Sequence, residues 1–422
     1  MNAAVTPVAR IADMDDPHFD PFFSDELVYG DIADPYPRIA ELRERGPVHA
    51  GTYRGLFTQR PDPTLGRFEH HTILGYEAVT QVLTDPETFT NESFKYNLGL
   101  SFGRTISTMD APEHPQFRRI FQKAFLPQVV ATWGESLVDP VVDSLLAGFA
   151  GRGRADLVEE FTLHYPFNII YRQLELPPED VRTFHKLAAG LGVMVVDMKS
   201  GLEASRKLGD YFAALVTERR RNPTDGLVSL LATAEVEGET IPDEVLISFL
   251  RQLVNAGGDT TYRATSVLLA CLLNNPDQLE AVRADRTLVA KAIDEALRWD
   301  GPVTSTWRWV ARDTELAGVP LKAGTVVDVV LGSANRDPAR YPDPDLFDIH
   351  RDRPARHVAF ATGPHICIGQ HLARVEMTRA LNALLDRLPN LRLDPDMPPP
   401  DIRGFLLRKP RHIHVRFDRG RR

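Results

Sequence analysis

The sequence predicts a mainly α-helical fold with minor β structure. Residues 113–300 repeat apolar side chains at helical spacing in one segment after another. Short β-like runs occur on either side of that region, among turns rich in proline and glycine. Helical and β-like segments do not alternate regularly, so a doubly wound parallel sheet is not expected.

The elements can be predicted in chain order. The first 105 residues are mixed and contain β-like runs such as FEHHTILGY. Apolar residues at helical spacing then occur in PVVDSLLAGFA, DYFAALVTERR, DGLVSLLATAEV and EVLISFLRQLVNAGGDTTYRATSVLLACLLNN. Strands return in TELAGVPLKAGTVVDVVL, a helix follows Cys367, and the chain ends in the strand-like HIHVRF.

Composition excludes several classes of protein. Hydrophobic residues make up 43% and charged residues 25% of the chain, as in ordinary soluble enzymes. The net charge of -9 disfavours binding to nucleic acid. No stretch of about 18 apolar residues could span a membrane, and two cysteines do not make a disulfide framework.

The length of the chain allows one large domain or two to three smaller ones. No repeat and no low-complexity linker divides the chain. Residues 1–29 are acidic and interrupted by prolines, so we expect a loosely ordered N-terminal segment. This segment also lacks the uninterrupted apolar run of a signal peptide. A cytoplasmic location is therefore expected.

The segment HVAFATGPHICIGQHLARVEM places Cys367 in a glycine-rich turn just before a predicted helix. The unpaired N–H groups at a helix start would stabilise a thiolate there. Gly363 and Gly369 allow special backbone conformations and the close approach of a flat group. Three interpretations are open: an inert buried cysteine, a catalytic thiol paired with His365, or a ligand to a metal whose cofactor supplies the other ligands, as haem does.

The long apolar helix is interrupted by the polar segment AGGDTT. Gly257 and Gly258 each cost a helix roughly 1 kcal/mol relative to alanine, so they predict a kink. The acid and the alcohol of Asp259 and Thr260, beside such a kink, could relay protons. The alternative is a kinked core helix in which a threonine bonds back to the preceding turn.

Two further patterns are weak on their own. Glu295 and Arg298, in AIDEALRW, have a spacing that exposed helical ion pairs commonly share. Cations that could partner a buried dianion are scattered along the chain, and each alone is more typical of a surface charge. These cations are His114, Arg118, Arg308 and His365.

Together, these motifs resemble the cytochrome P450 family. The haem-ligand loop of that family reads F-x-x-G-x-H-x-C-x-G, and its fixed positions are matched by Phe360, Gly363, His365, Cys367 and Gly369. The AGGDTT segment is similar to the oxygen-binding motif of the family, and AIDEALRW lies where the family has its E-x-x-R pair. The similarity runs from about residue 30 to the C-terminus.

The resemblance implies a single domain over residues 1–422. It has the cytochrome P450 fold, with haem b (iron protoporphyrin IX) between the long kinked helix and the Cys367 loop. Cys367 would be the ligand of the iron. Thr260 would hydrogen-bond the dioxygen that the haem binds, and Asp259 would pass protons inward. The residues implied in binding the porphyrin and its propionates are His114, Arg118, Arg308, Phe360, His365 and Gly369.

The resemblance also implies a structural network. Glu295 and Arg298 would hold the loop that presents Cys367. The family often adds an arginine from a P-x-R-F segment, but the corresponding segment here is PDLF, with Leu346 at that position. Arg351 is the candidate to replace it.

The implied function is that of a haem-thiolate monooxygenase, which inserts one oxygen atom of O2 into a C–H bond of a small hydrophobic substrate. No flavin or nicotinamide fingerprint occurs in the chain, so electrons are expected from a ferredoxin and an NAD(P)H-dependent ferredoxin reductase. Basic residues that suit an acidic ferredoxin are Arg119, Lys123, Arg353, Arg356 and Arg374. Candidates for the substrate pocket are Phe94, Leu98, Leu100, Phe102, Leu191, Val193, Met194, Leu253, Val303, Thr304, Phe405 and Leu406.

Two other functions remain open on the sequence. One is a haem-thiolate protein with different chemistry, such as an isomerase or a peroxide-driven enzyme, and the pair Asp259 and Thr260 argues against it. The other is a cysteine hydrolase built on Cys367 and His365. Residues so close together on a tight turn are poorly placed to form a catalytic pair.

Overall fold

The computed structural model describes residues 30–177, 181–192, 194, 197–236, 238–351 and 357–419. The expectation of a loosely ordered segment over residues 1–29 lies outside these ranges. Within them, the prediction of a helix-rich fold with small sheets is confirmed.

Helices account for most of the regular structure. In chain order they are α1 (Tyr36–Arg45), α2 (Tyr76–Thr84), α3 (Leu98–Phe102), α4 (Glu113–Lys123), α5 (Pro127–Trp133), α6 (Asp139–Phe149), α7 (Tyr165–Gln173), α8 (Val181–Gly192), α9 (Met198–Arg221), α10 (Leu227–Ala232), α11 (Asp243–Asn274), α12 (Pro276–Ala284), α13 (Val289–Asp300), α14 (Leu331–Asn335) and α15 (Gln370–Arg387). Among the described residues, none of these helices is long and apolar enough to cross a membrane.

The strands are short. They are β1 (Val48–Ala50), β2 (His70–Ile73), β3 (Phe89–Thr90), β4 (Arg154–Asp156), β5 (Glu235–Val236), β6 (Glu239–Thr240), β7 (Thr306–Val310), β8 (Thr314–Leu316), β9 (Val319–Leu321), β10 (Val326–Val329), β11 (Arg392–Leu393), β12 (Ile402–Arg403), β13 (Lys409–Pro410) and β14 (His414–Arg416). The largest sheet has the order β1-β2-β10-β7-β3, in which β10 runs parallel to β2 and antiparallel to β7. A three-stranded sheet has the order β11-β14-β4, and the other sheets are two-stranded.

One predicted helix is shorter than its apolar pattern. In DGLVSLLATAEV, helix α10 ends at Ala232, and the final residues form the first strand of the hairpin β5–β6. The hairpin turn contains Gly238 at φ 89°, a conformation that suits glycine. The glycine turn and the pairing of the two short strands thus occur where the apolar spacing alone predicts a longer helix.

The long helix α11 connects the two main apolar clusters of the protein. Its first half packs in one cluster with residues of α4, α7 and α9. Its second half packs in another cluster with residues of α6, α13 and α15. The polar segment at Asp259 and Thr260 lies between these two halves. Packed apolar residues therefore precede it and follow it along the helix.

The two adjacent glycines of α11 allow a neighbouring helix to pack closely against it. Every residue of α11 is α-helical, so the predicted kink does not interrupt the helix. A Cβ atom at Gly257 would lie 2.7 Å from Cδ1 of Ile170, and one at Gly258 would overlap the ring of Phe167. Both of these neighbours belong to α7. The two glycines therefore let α7 lie directly against α11. The low helix propensity of glycine does not by itself predict this contact.

Glu295 and Arg298 form a buried ion pair on α13, with 3% and 1% of their side chains exposed. Arg298 donates to both carboxylate oxygens of Glu295 at 2.7 Å, through Nε and Nη2. It also donates to the carbonyl oxygens of Asn335, Pro344 and Leu346 at 3.0, 2.8 and 3.1 Å. The pair therefore fastens an irregular segment of the chain to α13.

Arg351 joins the same group of contacts. Its Nε lies 3.3 Å from Oε1 of Glu295, and its Nη2 donates to the carbonyl oxygens of Asp343 and Leu346 at 3.1 and 2.9 Å. The side chain of Leu346 is exposed instead. Arg351 thus contacts Glu295 from a position five residues beyond the one that the P-x-R-F pattern indicates.

Replacing Arg298 by alanine should lower the free energy of unfolding by about 3–5 kcal/mol, because Glu295 would remain buried and unpaired. The matched control is Arg286→Ala, which breaks the more exposed pair with Asp386 and should cost less than about 1 kcal/mol. Chemical denaturation of both variants measures the difference. A loss in Arg298→Ala no larger than that in the control would contradict the role of the pair.

His70, in β2, is a buried histidine whose two ring nitrogens both face acceptors. Nδ1 lies 3.0 Å from Oδ2 of Asp328, and Nε2 lies 3.0 Å from the carbonyl oxygen of Leu65. A neutral imidazole carries a single N–H, so making both bonds requires the protonated ring. Burial acts to lower the pKa of His70, but the hydrogen bond to Asp328 and its charge outweigh burial and raise that pKa.

The raised pKa predicts a pH-dependent contribution to stability. This contribution should be fully present below the unfolded histidine pKa of about 6.5, and it should be lost as pH rises through the higher pKa of the folded state. The test compares the unfolding free energies of the wild type and His70→Gln at about pH 6 and about pH 9. The difference between the proteins should shrink at the higher pH. The same difference at both pH values would argue against a protonated ring.

Candidate active site

The Cys367 loop is shaped by one glycine and by main-chain hydrogen bonds. Gly363 has φ 75°, and a Cβ atom there would overlap the carbonyl oxygen of Leu83. The N–H of Cys367 donates to the carbonyl oxygen of Phe360 at 2.9 Å. Helix α15 begins at Gln370. The sulfur is therefore presented from a tight loop at the N-terminus of a helix.

The Cys367 thiol lies deep in the fold, yet its side chain is exposed to an internal cavity. Burial raises the pKa of this thiol, whereas the N–H of Gly369 and the charges of Arg118 and Arg374 act to lower it. The main-chain donor and the cations only partly offset burial, so the pKa of the thiol stays above its ordinary value. A bound metal ion would favour the thiolate, because the thiolate is the form that coordinates metals.

The cavity has a volume of about 360 Å³ and extends from the Cys367 loop to α11. Predicted site residues that line it are Arg118, Thr260, Arg308, Phe360, His365, Cys367 and Gly369. His114 lies beside this lining, with its ring centroid 3.9 Å from that of His365. Among the described residues, the lining does not include Asp259, Glu295, Arg298 or Arg351.

Gly369 leaves room beside the sulfur. Its φ of -85° is open to any residue, so glycine is not required for its conformation. A Cβ atom at this position would have no described atom outside its own chain neighbours within 4 Å. The position can therefore accept a flat group lying close to Cys367.

A cluster of two histidines and two arginines borders the cavity. Burial lowers the pKa of His365 to about 2, and the charges of His114, Arg308 and Arg118 act in the same direction. Burial and the charges of Arg118 and Arg308 lower the pKa of His114 to about 4. Burial also lowers the pKa of Arg308 to about 10, although Asp110 acts in the opposite direction. Burial therefore disfavours the charged forms of these basic groups.

This set of residues fits a haem. Nε2 of His114 is buried and has no hydrogen-bond partner in the part of the chain that the structure describes, whereas buried polar atoms normally have one. Such donors suit the two negatively charged propionates of the porphyrin. The thiol of Cys367, with Phe360 and Gly369 in the same wall, suits the iron and the flat ring.

Thr260 and Asp259 are neighbours on α11 but face different surroundings. Thr260 lines the cavity, and its hydroxyl donates to the carbonyl oxygen of Ala256 at 2.8 Å. The carboxylate of Asp259 is held by Nε of the buried Arg263 at 3.0 and 3.1 Å. Successive helical residues point about 100° apart. The acid is therefore next to the cavity wall and turned toward Arg263.

Asn91 is a cavity residue that the sequence analysis missed. Its Nδ2 lies 3.1 Å from Nδ1 of His365 and donates to the carbonyl oxygen of Ser107 at 2.9 Å. Asn91 lies in a turn without motif or periodicity, so no signal in the sequence marks it. Other lining residues that were missed are Ile106, Ser107, Phe249 and Gln252.

The residues predicted for the substrate pocket divide between the cavity lining and other positions. The predicted residues that line the cavity are Phe94, Leu253 and Val303. Leu100 is instead 43% exposed on the short helix α3, and Phe102 packs in an apolar cluster. Thr304 is buried, and its hydroxyl donates to the carbonyl oxygen of Leu406 at 3.0 Å. The others outside the described lining are Leu98, Leu191, Met194, Phe405 and Leu406, and Val193 lies outside the described residues.

Helix α4 brings basic residues close to the cysteine loop. Arg118 donates through Nη2 to the carbonyl oxygen of Ile366 at 2.7 Å. Arg119 and Lys123, on the same helix, are exposed. The other predicted basic residues are Arg374, which pairs with Asp294 at 2.7 Å, and Arg353 and Arg356, which lie outside the described residues.

Comparisons with known proteins agree with this site. The family model described as Cytochrome P450 matches residues 197–417. The chain is 34% identical over 405 residues to the cytochrome P450 monooxygenase PikC of Streptomyces venezuelae, covering 92% of each protein. It is 34% identical over 369 residues to the vitamin D3 dihydroxylase of Streptomyces griseolus, covering 84% of this chain and 86% of that protein.

A solved structure gives the same result for the fold. The crystal structure of CYP109E1 from Bacillus megaterium in complex with testosterone superposes with a TM-score of 0.79 at 28% identity, covering 91% of this chain and 99% of that one. Both the fold and the sequence therefore align along most of their length with haem-containing bacterial oxidoreductases. This chain belongs to the cytochrome P450 family, and it is a monooxygenase of that family.

Proposed function

We propose that this protein is a cytoplasmic, single-domain haem-thiolate monooxygenase that hydroxylates a small hydrophobic substrate with electrons from separate redox proteins. The observation that carries the proposal is that the sulfur of Cys367 and the hydroxyl of Thr260 line one cavity. The cavity combines a metal ligand, a hydroxyl group and an apolar wall in a single space. Cys367 would bind the iron of haem b as a thiolate.

The remaining cofactor contacts follow from the charge of the cavity. His114, Arg118, Arg308 and His365 would neutralise the two propionates, which supply the negative charge that these buried groups lack. A haem bound through the thiolate of Cys367 would supply the activation of O2. The chain itself positions the substrate, excludes water and delivers protons.

Thr260 would control where a proton is held. Its hydroxyl donates to Ala256 in the structure, so its oxygen can accept a hydrogen bond from the cavity side. Rotation about its Cβ–Oγ1 bond would turn the same proton toward the cavity. By changing between Ala256 and a group in the cavity, the single hydroxyl could accept a hydrogen bond from the cavity and also donate one to it.

Asp259 would carry protons from outside the cavity. Its carboxylate is held by Arg263 at 3.0 and 3.1 Å, so the acid must release at least one of these contacts to reach the neighbouring threonine. The side chain of Asp259 is 18% exposed. It is therefore accessible enough to exchange protons and lies one residue from the cavity wall.

The substrate would be hydrophobic. The cavity wall around α11 is formed largely by apolar side chains, among them Phe94, Ile106, Phe249, Leu253 and Val303. Its polar residues Gln252 and Ser107 hydrogen-bond to each other at 2.6 Å, which leaves fewer polar groups to bind a ligand. The related vitamin D3 dihydroxylase and the testosterone complex of CYP109E1 also concern largely apolar molecules.

A ferredoxin, reduced by an NAD(P)H-dependent reductase, would be the electron donor. Arg119 and Lys123 are exposed on α4, and Arg118 of the same helix bonds to the cysteine loop. Cations on this face would attract an acidic protein and orient it near Cys367. This location would shorten the path of an electron to the metal.

Replacing Cys367 by alanine should abolish the strongly red-shifted Soret band of the reduced protein under carbon monoxide, because that band depends on the thiolate. The matched control is Cys271→Ala, which removes the buried cysteine of α11 and should leave the band position unchanged. Absorption spectroscopy of both purified variants makes the measurement. A normal band in Cys367→Ala would refute the assignment of the ligand.

Thr260→Ala should separate NADH consumption from product formation. Substrate binding should be retained, but hydrogen peroxide should replace product because the proton is no longer held correctly. Asp259→Asn should instead slow turnover, since proton delivery weakens. Thr260→Ser keeps the hydroxyl and should keep the coupling. NADH, peroxide and product are measured together, and full coupling in Thr260→Ala would contradict the proposed role.

The double variant Arg119→Glu and Lys123→Glu should slow reduction by an acidic ferredoxin, most clearly at low ionic strength. Lys199→Glu, an exposed change on α9, is the matched control and should have little effect. Stopped-flow reduction rates at several salt concentrations test this surface. Rates equal to those of the control at low salt would exclude it as the docking face.

A further inference from the structure

A second group of possible metal ligands lies at the three-stranded sheet, away from the Cys367 loop. In this sheet β14 pairs with β4, and His414 is the direct cross-strand partner of Asp156. Side chains of directly opposed residues lie on the same face of a sheet. His412 precedes His414 by two positions, and residues two apart in an extended chain also share a face. The strand register thus brings two imidazoles and a carboxylate together.

The distances within this group suit a shared ion. Nδ1 of His412 lies 2.6 Å from Oδ2 of Asp156, and Nδ1 of His414 lies 3.8 Å from the same oxygen. All three ligand atoms lie within 4.8 Å of one another. A tetrahedral zinc ion with ligands at about 2.0–2.2 Å separates two ligand atoms by roughly 3.3 Å. The two observed distances lie on either side of that value, so small side-chain rotations would satisfy it.

The carboxylate of Asp156 is already oriented by the backbone. Its Oδ1 accepts hydrogen bonds from the N–H groups of Val158 and Ile413, both at 3.0 Å. These bonds leave Oδ2 directed at the two histidines. Hydrogen bonds that fix the outer oxygen of a ligating carboxylate are a usual feature of protein metal sites.

The accessibility of the group allows an ion to enter. The side chains of His412, His414 and Asp156 are 54%, 25% and 13% exposed. The two imidazole rings are stacked, with centroids 5.3 Å apart and planes at 10°, so both Nδ1 atoms can turn to one side. Water would complete the coordination, as at zinc sites with three protein ligands.

We propose that Asp156, His412 and His414 form a binding site for a divalent transition-metal ion of the Zn²⁺ type. Two imidazole nitrogens and one carboxylate oxygen suit Zn²⁺, whereas Ca²⁺ and Mg²⁺ prefer sites made of oxygen ligands. The ion would cross-link β4 to the strand β14 near the C-terminus. It would stabilise this sheet without taking part in the reaction at Cys367.

The test uses tag-free, haem-loaded protein that has been treated with a chelator and then titrated with ZnCl2 by calorimetry. The wild type should bind one equivalent and should melt at a higher temperature with Zn²⁺ present. His412→Ala and His414→Ala should each weaken binding by at least about tenfold. His350→Ala removes an exposed histidine outside the group and should bind as the wild type does.

Several results would overturn the site. They are a wild type without saturable Zn²⁺ binding, a double variant His412→Ala and His414→Ala that binds as tightly as the wild type, and competition by Ca²⁺ at equal concentration. Because these histidines are on the surface, the variants should keep their haem spectrum. The spectrum shows in each sample that the protein is folded, so a loss of Zn²⁺ binding reports on the ligands alone.

Discussion

The buried ion pair between Glu295 and Arg298 is the contact that joins α13 to the irregular chain segment before the Cys367 loop. The described residues between α14 and α15 form no helix or strand, so their carbonyl groups need partners from elsewhere. Arg298 supplies several of them, and it also contacts the carbonyl of Asn335. The side chain of Asn335 in turn accepts from the N–H of Val358 at 2.7 Å, nine residues before Cys367. A single charged pair thus connects α13 to the chain segment that precedes the Cys367 loop. Burying such a pair is costly unless its hydrogen bonds are satisfied.

A second constraint acts at the cavity itself. The fold brings His114, Arg118, Arg308 and His365 together, and burial disfavours the charged form of each of them. For the two histidines, the charges of neighbouring basic groups act in the same direction. Such an arrangement lowers the folding stability of the ligand-free protein, and binding of an anionic ligand would offset that loss. Groups with strongly shifted pKa values concentrate at functional sites for this reason. The polar end of the cavity is therefore prepared for its ligand before the ligand binds.

Local patterns indicated those features whose residues are close together in the sequence. The Cys367 loop, the segment at Thr260 and the pair on α13 are each contained in ten residues or fewer, so their spacing already defines their geometry. Apolar patterns alone did not predict two other features. Leu100 is apolar, as a pocket residue would be, but it lies on the surface, and the segment after Ala232 forms a hairpin around Gly238 instead of continuing the helix.

The sequence by itself determined the helical class of the protein, the order of its main elements and the motifs on which the proposed site rests, because helical periodicity and short motifs are local properties. Only the tertiary structure decided what those residues contact. Gly257 and Gly258 accommodate α7, Asp259 is held by Arg263, and Asn91 reaches His365 from 274 positions away. Contacts between segments so far apart in the chain depend on how whole helices pack, and no local spacing encodes that packing.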